Sequence, residues 1–341
     1  MKEFMRYLFA SALPVLCLLL SGCDHKQLTK LPDTARVRIA ADWTEFSEVE
    51  TPTGMSVRVY GADGKVSRTV LTNDISHADV ELPKGFYDVM VFNQSPSEFG
   101  TVRFENLDVF SQAAVFAEPT KSAWYKSKAP EQVLTTPEWI GTAFSRNLGV
   151  DMDMVYASPR IRSTKSTEYP ESNVLCTLVP KNIIYRVTVI VNIRGIHNLK
   201  AARASLDGMA SGYMLGEGRT SDIVCTHLLE EWNIFRDSAD PTRGYVKAVI
   251  TSFGLPAGHM GEAGENHLKL SLLLVDNKTV LDYDFPVGDS FRRGTETTLE
   301  LEIDKTVEGA LPDVKPEGGS AGGFDVKVDD WGDEEIIDIP V

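Results

Sequence analysis

The sequence predicts an all-β fold built from two antiparallel β-sandwich domains. Three features of the chain indicate this class: apolar and polar residues alternate in many short stretches, turn-forming residues separate those stretches, and helical periodicity is scarce. A series of short strands and turns is typical of sandwiches rather than of a parallel sheet with crossover helices.

The N-terminal residues form a segment of their own. Two basic residues precede an apolar run of about 14 residues (7–20), and a Ser-Gly-Cys sequence follows it and ends at Cys23. The run is shorter than the roughly 20 residues that a helix needs to cross a bilayer, so residues 1–22 are predicted to be a cleaved lipoprotein signal peptide. The Cys23 thiol would then carry the lipid, and residues 23–34 would be a tether. An ordinary secretory leader that happens to end in cysteine is the alternative.

The first predicted sandwich covers residues 35–118. In its first strand Val37 and Ile39 alternate with Arg36 and Arg38, which is the period of a strand with one solvated face. The run 86–93 is apolar at nearly every position and is therefore predicted to be buried on both faces. The predicted strands of this domain are 35–43, 55–60, 78–82, 86–93, 101–104 and 113–117.

Residues 119–173 are predicted to form a long connection. Five prolines are spread through this region, and sustained periodic runs are few. Thr136 and Pro137 resemble an N-cap followed by a first helical residue, so we expect one short helix near 137–147.

The second predicted sandwich covers residues 174–304. Its clearest strand is 183–193, in which the odd-numbered positions are uniformly apolar. The β-branched and aromatic residues that fill these stretches pack well on a pleated surface. The further predicted strands are 200–206, 245–253, 267–275, 279–285 and 296–303.

The last segment, 305–341, is predicted to be a glycine-rich linker and an acidic C-terminal strand arm. Residues 324–341 hold seven acids and one lysine, and apolar residues alternate with polar ones. The arm could complete a sheet of its own molecule or add a strand to a partner, and the sequence leaves both alternatives open. The residues predicted to form the pairing face are Phe324, Val326, Val328, Trp331, Ile337 and Ile339.

The charge of the chain bears on its partners. The formal net charge is −15 at pH 7, which repels phosphate backbones. Nucleic acid is therefore not expected as a partner.

Four cysteines are present, and two of them belong to the N-terminal segment. Cys17 would leave with the signal peptide and Cys23 would be lipidated, so Cys176 and Cys225 are left. An exported compartment permits a disulfide between these two, but Cys176 could equally be a small buried core residue.

Candidate catalytic and metal-binding patterns are weak. His259 and His267 flank a loop rich in glycine and glutamate, where a metal site is conceivable, but hairpin loops collect such residues without any ligand. No phosphate loop or dinucleotide fingerprint is present. We therefore expect a protein that is not an enzyme, with no catalytic residues, no cofactor and no metal.

Several stretches resemble a known family when they are taken together. The set resembles the fimbrillin-like lipoproteins of Bacteroides-type bacteria, including the minor-fimbria anchor family and a closely similar domain family of unknown function. The likeness covers most of residues 36–118 and 180–341. The stretches that carry it are Asp42-Trp43, Gly54–Tyr60, Leu82–Asn93, Ala204–Gly212 and Phe324–Trp331.

The resemblance implies a pair of transthyretin-like sandwiches on a lipidated N-terminus, in a fimbrial or adhesive surface assembly. Other fimbrial subunits or host surface ligands would be the partners. In this family the members that polymerise are cleaved after an arginine, and no stretch of this sequence matches that cleavage site well, which favours a capping or anchoring role. Asp33-Thr34-Ala35 and Asp237-Ser238-Ala239 match the short pattern that such bacteria O-glycosylate, at Thr34 and Ser238, and the first is the better candidate.

The function expected from the sequence is that of a lipid-anchored protein of the outer membrane that faces the cell exterior. It would act as a fimbrial anchor, minor or tip subunit, in adhesion or in assembly by β-strand addition. The alternative is a glycan-binding surface lipoprotein that uses Trp124, Tyr125 and Trp139 as stacking platforms.

Overall fold

The computed structural model describes residues 34–125, 130–151, 174–293 and 300–317. These residues form 22 strands and four short 3₁₀ helices, and no α-helix occurs among them. The predicted all-β sandwich class is confirmed. The 3₁₀ helices are Phe46–Glu48, Phe110–Gln112, Ile196–Asn198 and Ala263–Glu265.

Two sheets form the N-terminal sandwich. Sheet I consists of β10 (Val174–Leu178), β1 (Thr34–Ala41) and β4 (His77–Pro83), in that spatial order. Sheet II consists of β11 (Lys181–Asn182), β9 (Gly141–Val150), β5 (Gly85–Phe92), β2 (Met55–Tyr60) and β3 (Val66–Thr72). In sheet I the central strand β1 runs antiparallel to β4 and parallel to β10.

Two further sheets form the C-terminal sandwich. Sheet IV consists of β17 (Asn233–Arg236), β18 (Arg243–Ser252), β12 (Tyr185–Arg194), β22 (Glu300–Ala310) and β21 (Arg292–Arg293). Sheet V consists of β20 (Val280–Pro286), β19 (His267–Leu274), β13 (Leu199–Ala210), β16 (Val224–Leu229) and β8 (Val133–Leu134). The pairings β12 with β22 and β16 with β8 are parallel, and the other pairings in these two sheets are antiparallel.

A small fifth sheet joins distant parts of the chain. Sheet III consists of β15 (Arg219–Thr220), β14 (Gly212–Met214), β7 (Ala114–Ala117) and β6 (Val102–Glu105). Two of its strands precede the long connection and two follow it. Gly212 permits the close approach of β14 to β7, because a Cβ there would lie 2.3 Å from the Val115 carbonyl oxygen.

Two apolar clusters hold these sheets together. The first lies between sheets I and II and is built from inward-facing residues such as Val37, Ile39 and Val57. The second lies between sheets IV and V and continues through sheet III to the outer face of sheet II, where Tyr60 and Phe92 belong to it. Each Å² of apolar surface that is removed from water stabilises the fold by roughly 25 cal/mol, so burial in these two clusters is the main favourable contribution to folding.

Strand β5 shows how one strand serves both clusters. Val91 faces the first cluster and Phe92 faces the second, and both side chains are fully buried. Successive residues of a strand point to opposite faces, so the second half of β5 is buried on both sides. The prediction from the apolar run 86–93 is confirmed from Val89 onward, whereas Phe86 at the start of the strand is 65% exposed.

The helix predicted near 137–147 is wrong, because these residues enter strand β9. Glu138, which would lie in the first turn of the predicted helix, instead accepts hydrogen bonds from the main-chain N–H groups of Gly100 and Thr101, at 2.7 and 2.9 Å. Gly141 also favours the strand, since a Cβ at this position would lie 2.7 Å from the Phe46 ring. Pairing with β5 and packing on the sandwich outweigh the local cap signal.

Candidate functional site

The described part of the chain begins with β1, the middle strand of sheet I. Ala35, Val37 and Ile39 of β1 are fully buried, and the polar residues between them point outward. Arg36 and Arg38 both donate to the Asp79 carboxylate on β4, at 2.6 and 3.0 Å. The alternation of β1 is visible in the sequence, but its partner is not, because strand order cannot be read from periodicity. Cys23 lies outside the described residues, so its lipidation stays a prediction.

Cys176 and Cys225 are free, buried thiols. Cys176 lies in the first cluster and Cys225 in the second, so the structure contains no disulfide between them. Burial raises the pKa of both thiols, that of Cys225 to about 12. Both side chains therefore act as small apolar core residues, which is the other alternative that the sequence left open for Cys176.

His227 lies next to Cys225 in the core, and the sequence analysis did not single it out. Its Nδ1 lies 3.2 Å from the Leu134 carbonyl oxygen and therefore carries the proton, while Nε2 faces the Cys225 Sγ at 3.7 Å. Burial lowers the pKa of His227 to about 4. A neutral imidazole beside a neutral thiol, both out of contact with solvent, provides no activated nucleophile.

The two histidines that flank the glycine-rich loop take different partners. His259 Nδ1 lies 2.9 Å from the Glu265 carboxylate, whereas His267 Nδ1 lies 2.7 Å from Asp284. Glu265 also accepts the N–H groups of Met260, Gly261 and Glu262, and these bonds lower its pKa. The loop is thus closed by its own hydrogen bonds. In the part of the chain that the structure describes, no three His, Cys, Asp or Glu residues are grouped to hold a metal ion.

The aromatic residues considered for glycan stacking are engaged within the protein. Trp124 packs edge-on against Tyr125, with ring centroids 5.6 Å apart, and the Arg203 guanidinium lies 5.4 Å from the Trp124 ring centroid. The Tyr125 hydroxyl donates to Glu131, and burial raises the pKa of Tyr125 to about 12. Trp139 packs against both apolar clusters. The described residues do not present these three rings as one open platform.

The two candidate glycosylation sites differ in accessibility. Thr34 is the first residue of β1, where it is paired with Pro83 and partly buried. Ser238 lies exposed in the turn between β17 and β18, which is closed by a hydrogen bond from the Ala239 N–H to Asp237. Modification of either residue stays a prediction, and Ser238 is the more accessible of the two.

Exposed strand edges are the main candidate interaction surface. The seven-residue strands β3 and β20 each pair with a single strand among the described residues. The β3 edge carries Leu71, whose exposed fraction is 60%. Unpaired N–H and C=O groups along such edges can receive another strand.

The six residues predicted to form the pairing face of the C-terminal arm lie outside the described residues, so their role stays a prediction. Among the residues that the structure describes, no helix has the length and apolar character needed to cross a bilayer.

The comparisons with known proteins agree with this architecture. A curated protein of Bacteroides ovatus named "Putative fimbrium anchoring subunit Fim4B" is 21% identical over 348 residues, and the alignment covers 95% of each chain. Among solved structures, one described as a "putative adhesin" from Bacteroides ovatus superposes with a TM-score of 0.52 at 14% identity, over 79% of this chain and 93% of the other. At that identity the likeness shows the fold alone.

The fimbrial anchor protein Mfa2 from Porphyromonas gingivalis superposes with a TM-score of 0.45 at 11% identity, over 80% of this chain and 90% of the other. The family described as "Domain of unknown function (DUF5119)" matches residues 22–230. Together with the curated relative, this match confirms the resemblance drawn from the sequence motifs. Because the match spans more than half of the chain, the protein belongs to the DUF5119 family.

Proposed function

We propose that this protein is a lipid-anchored subunit of a fimbria, with an anchoring or other minor role at the base or tip. It is held in the outer membrane through Cys23 and faces the cell exterior. One observation carries the proposal: the chain aligns from end to end, over 95% of both sequences, with a curated protein named for anchoring a fimbrium.

The way in which the chain leaves the tether supports an anchoring role. Residue 34, the last residue of the predicted tether, already begins β1, and β1 is flanked by a strand on each side. A pull on the lipid is therefore taken up by two rows of main-chain hydrogen bonds and by the buried side chains Val37 and Ile39. A subunit that links a membrane to an extended appendage needs such an attachment.

Subunit contacts by β-strand addition fit the same structure. A strand that docks on an exposed edge gains affinity from main-chain hydrogen bonds and specificity from alternate side chains. The β3 edge, with Leu71 exposed, offers both kinds of contact. Other fimbrial subunits are the partners that this chemistry fits, and host surface ligands are the alternative for a tip position.

A structural rather than catalytic role is supported by the state of the reactive side chains. Cys225 and His227 are buried and neutral, and Glu265 is held by main-chain N–H groups. Glycan binding receives no comparable support, because Trp124 and Tyr125 already pack on each other and Arg203 covers the Trp124 ring.

The proposal is tested by removing the thiol that would carry the lipid. In cells that assemble the fimbria, Cys23→Ser should abolish labelling by a radioactive fatty acid and move the protein out of the outer-membrane fraction. Fimbriae should then appear in the culture medium, because their base is no longer fixed to the cell.

The matched control is Cys17→Ser, which makes the same chemical change inside the segment predicted to be removed. This variant should keep the label, the membrane fraction and the attached fimbriae. Cys23→Ser protein that stays in the membrane fraction at unchanged mass would refute the lipid anchor. Loss of the lipid without any release of fimbriae would refute the anchoring role.

A further inference from the structure

Strand β20 leaves one row of main-chain groups open at the edge of sheet V. The Leu274 N–H donates to the Thr279 carbonyl at 2.9 Å, so odd-numbered residues of this hairpin strand bond toward β19. The main-chain groups of Val280, Asp282 and Asp284 therefore point away from β19. In the ranges that the structure describes, no other strand pairs with β20 on that side.

The inner face of β20 is also incompletely covered. Leu281, Tyr283 and Phe285 point toward the second cluster, opposite fully buried leucines of β19, yet each is only partly buried. The rings of Tyr283 and Phe285 stack with their centroids 6.1 Å apart. The second cluster thus ends at this edge in three side chains that are only partly covered. An additional strand with apolar residues at alternate positions would cover them.

The outer face of β20 does not obstruct such a strand. Asp282 accepts the Ser271 hydroxyl at 2.6 Å, and Asp284 lies 2.7 Å from His267 Nδ1, so both carboxylates are held by the neighbouring strand. At the end of β20, the Lys305 ammonium donates to the Pro286 carbonyl at 3.0 Å. An acidic residue that reached this end would meet a cation.

The described chain ends beside the start of β20. The Glu317 N–H donates to the Val275 carbonyl at 3.2 Å, and its carboxylate accepts the Asn277 side-chain amide at 2.7 Å. Val275 and Asn277 belong to the turn between β19 and β20, so the chain leaves the described part near the end of sheet V where β20 begins. The residues that follow are six small ones, 318–323, which can span at most about 20 Å.

We propose that residues 324–329 pair with β20 of the same chain as a sixth strand of sheet V. The strand runs parallel to β20, because the chain arrives at the end where β20 begins. With Phe324 level with Leu281, the apolar residues Phe324, Val326 and Val328 cover the half-open inner row, and Asp329 comes level with Pro286 and the Lys305 ammonium.

Pairing within one molecule is favoured over pairing between molecules by the short linker. A tether of six residues holds the strand near its edge at an effective concentration in the millimolar range, which exceeds that of any second copy in dilute solution. Of the two alternatives that the sequence leaves open, the position of Glu317 therefore selects the one within the molecule.

Hydrogen exchange of the full-length chain in detergent tests the proposal directly. The amides of Asp282 and Asp284 should exchange at least about ten-fold more slowly in the wild type than in a Val326→Asp/Val328→Asp variant, which places charges on the inner face of the added strand. The matched control, Ile337→Asp/Ile339→Asp, makes the same kind of change outside the proposed strand and should keep the protection. Fast exchange at both amides in the wild type would overturn the proposal.

A cysteine pair then distinguishes the chain's own strand from that of a second copy. Asp284→Cys and Lys327→Cys would be level on the outer face, so mild oxidation should link them within the monomer at every protein concentration. Linked dimers that increase with concentration would overturn the pairing within one chain. Asp284→Cys with Ile339→Cys is the control and should stay unlinked. Because both measurements use purified protein, their failure would leave the fimbrial role untouched.

Discussion

The two sandwiches of this protein differ in how their cores are bounded. The N-terminal sandwich has a cluster of its own, enclosed between sheets I and II. The core of the C-terminal sandwich extends beyond sheets IV and V, through sheet III, to Tyr60, Met90 and Phe92 on the outer face of sheet II. One half thus has a private core, and the other shares its core with its neighbour.

This difference shows that a boundary in the chain is not a boundary in the packing. Strands β6 and β7 follow the N-terminal sandwich in sequence but pair with β14, deep in the second half of the chain. Strand β10 begins the second half yet pairs with β1. Side chains pack on both faces of sheet II. We therefore expect the junction between the two sandwiches to resist bending.

The largest effect should come from the shared core. Phe92→Ala and Phe46→Ala each remove a fully buried ring, and each should lower the free energy of unfolding by about 3–5 kcal/mol. The two variants should differ in which strands lose protection from amide exchange. Phe92 belongs to the shared cluster and Phe46 to the private one, so only Phe92→Ala should speed the amide exchange of β7 and β14 in sheet III.

Urea unfolding and hydrogen exchange on both variants provide the comparison. Equal loss of protection in sheet III from Phe46→Ala would show that the first cluster is not private. No loss there from Phe92→Ala would show that sheet III is held without the ring of Phe92.

Sequence patterns predicted the strands whose periodicity is regular. The stretches 55–60, 86–93, 267–275 and 279–285 differ from the observed strands by at most one residue at each end. Their apolar residues alternate or run continuously, and the packing of such a face decides the local structure. The same patterns predicted the sandwich class, because many short strands without helices have few other solutions.

The patterns failed where distant contacts decide the structure. Strand β9 follows a helix-like start and contains two glycines, and it is a strand because β5 and Phe46 lie beside it. Strand β3 was missed because it is an edge strand with mostly solvated side chains and therefore has a weak pattern. The buried state of His227 could not be foreseen, since it depends on a parallel pairing with residues 133–134, nearly a hundred positions away.

A smaller effect, dependent on pH, should be confined to the shared core. Burial lowers the pKa of His227 to about 4 in the folded state, whereas an unfolded histidine has a pKa of about 6.5. As the pH falls below 6.5, His227 binds a proton in the unfolded state but stays neutral in the folded state, so the free energy of unfolding decreases. The expected loss between pH 7 and pH 5 is about 2 kcal/mol, and stability should be flat with respect to this group above pH 7.

Urea midpoints of His227→Gln at pH 7 and pH 5 measure this contribution. The variant should lose the part of the pH dependence that comes from His227, whatever its stability at pH 7. The matched control is His77→Gln on β4, a histidine of the N-terminal sandwich with a partly exposed side chain, and it should leave the contribution of the buried His227 in place. An unchanged slope in His227→Gln would mean that His227 is not buried as neutral imidazole.

The smallest effect compares the polar ties across the strands of each sandwich. In the N-terminal sandwich the Asp79 carboxylate holds two arginines of β1, and in the C-terminal one Asp304 of β22 accepts the Asn192 amide of β12 at 2.8 Å. Asp79→Asn should cost at most about 1 kcal/mol, and 1 M salt should reduce that cost only in part, because a Debye length of about 3 Å weakens charge pairs in direct contact less than distant ones. Asp304→Asn keeps a neutral acceptor, so its smaller cost should hardly depend on salt. Urea midpoints of both variants at low and high salt measure these costs. A loss of stability in Asp79→Asn that does not depend on salt would show that the charge of Asp79 contributes little to the tie between β1 and β4.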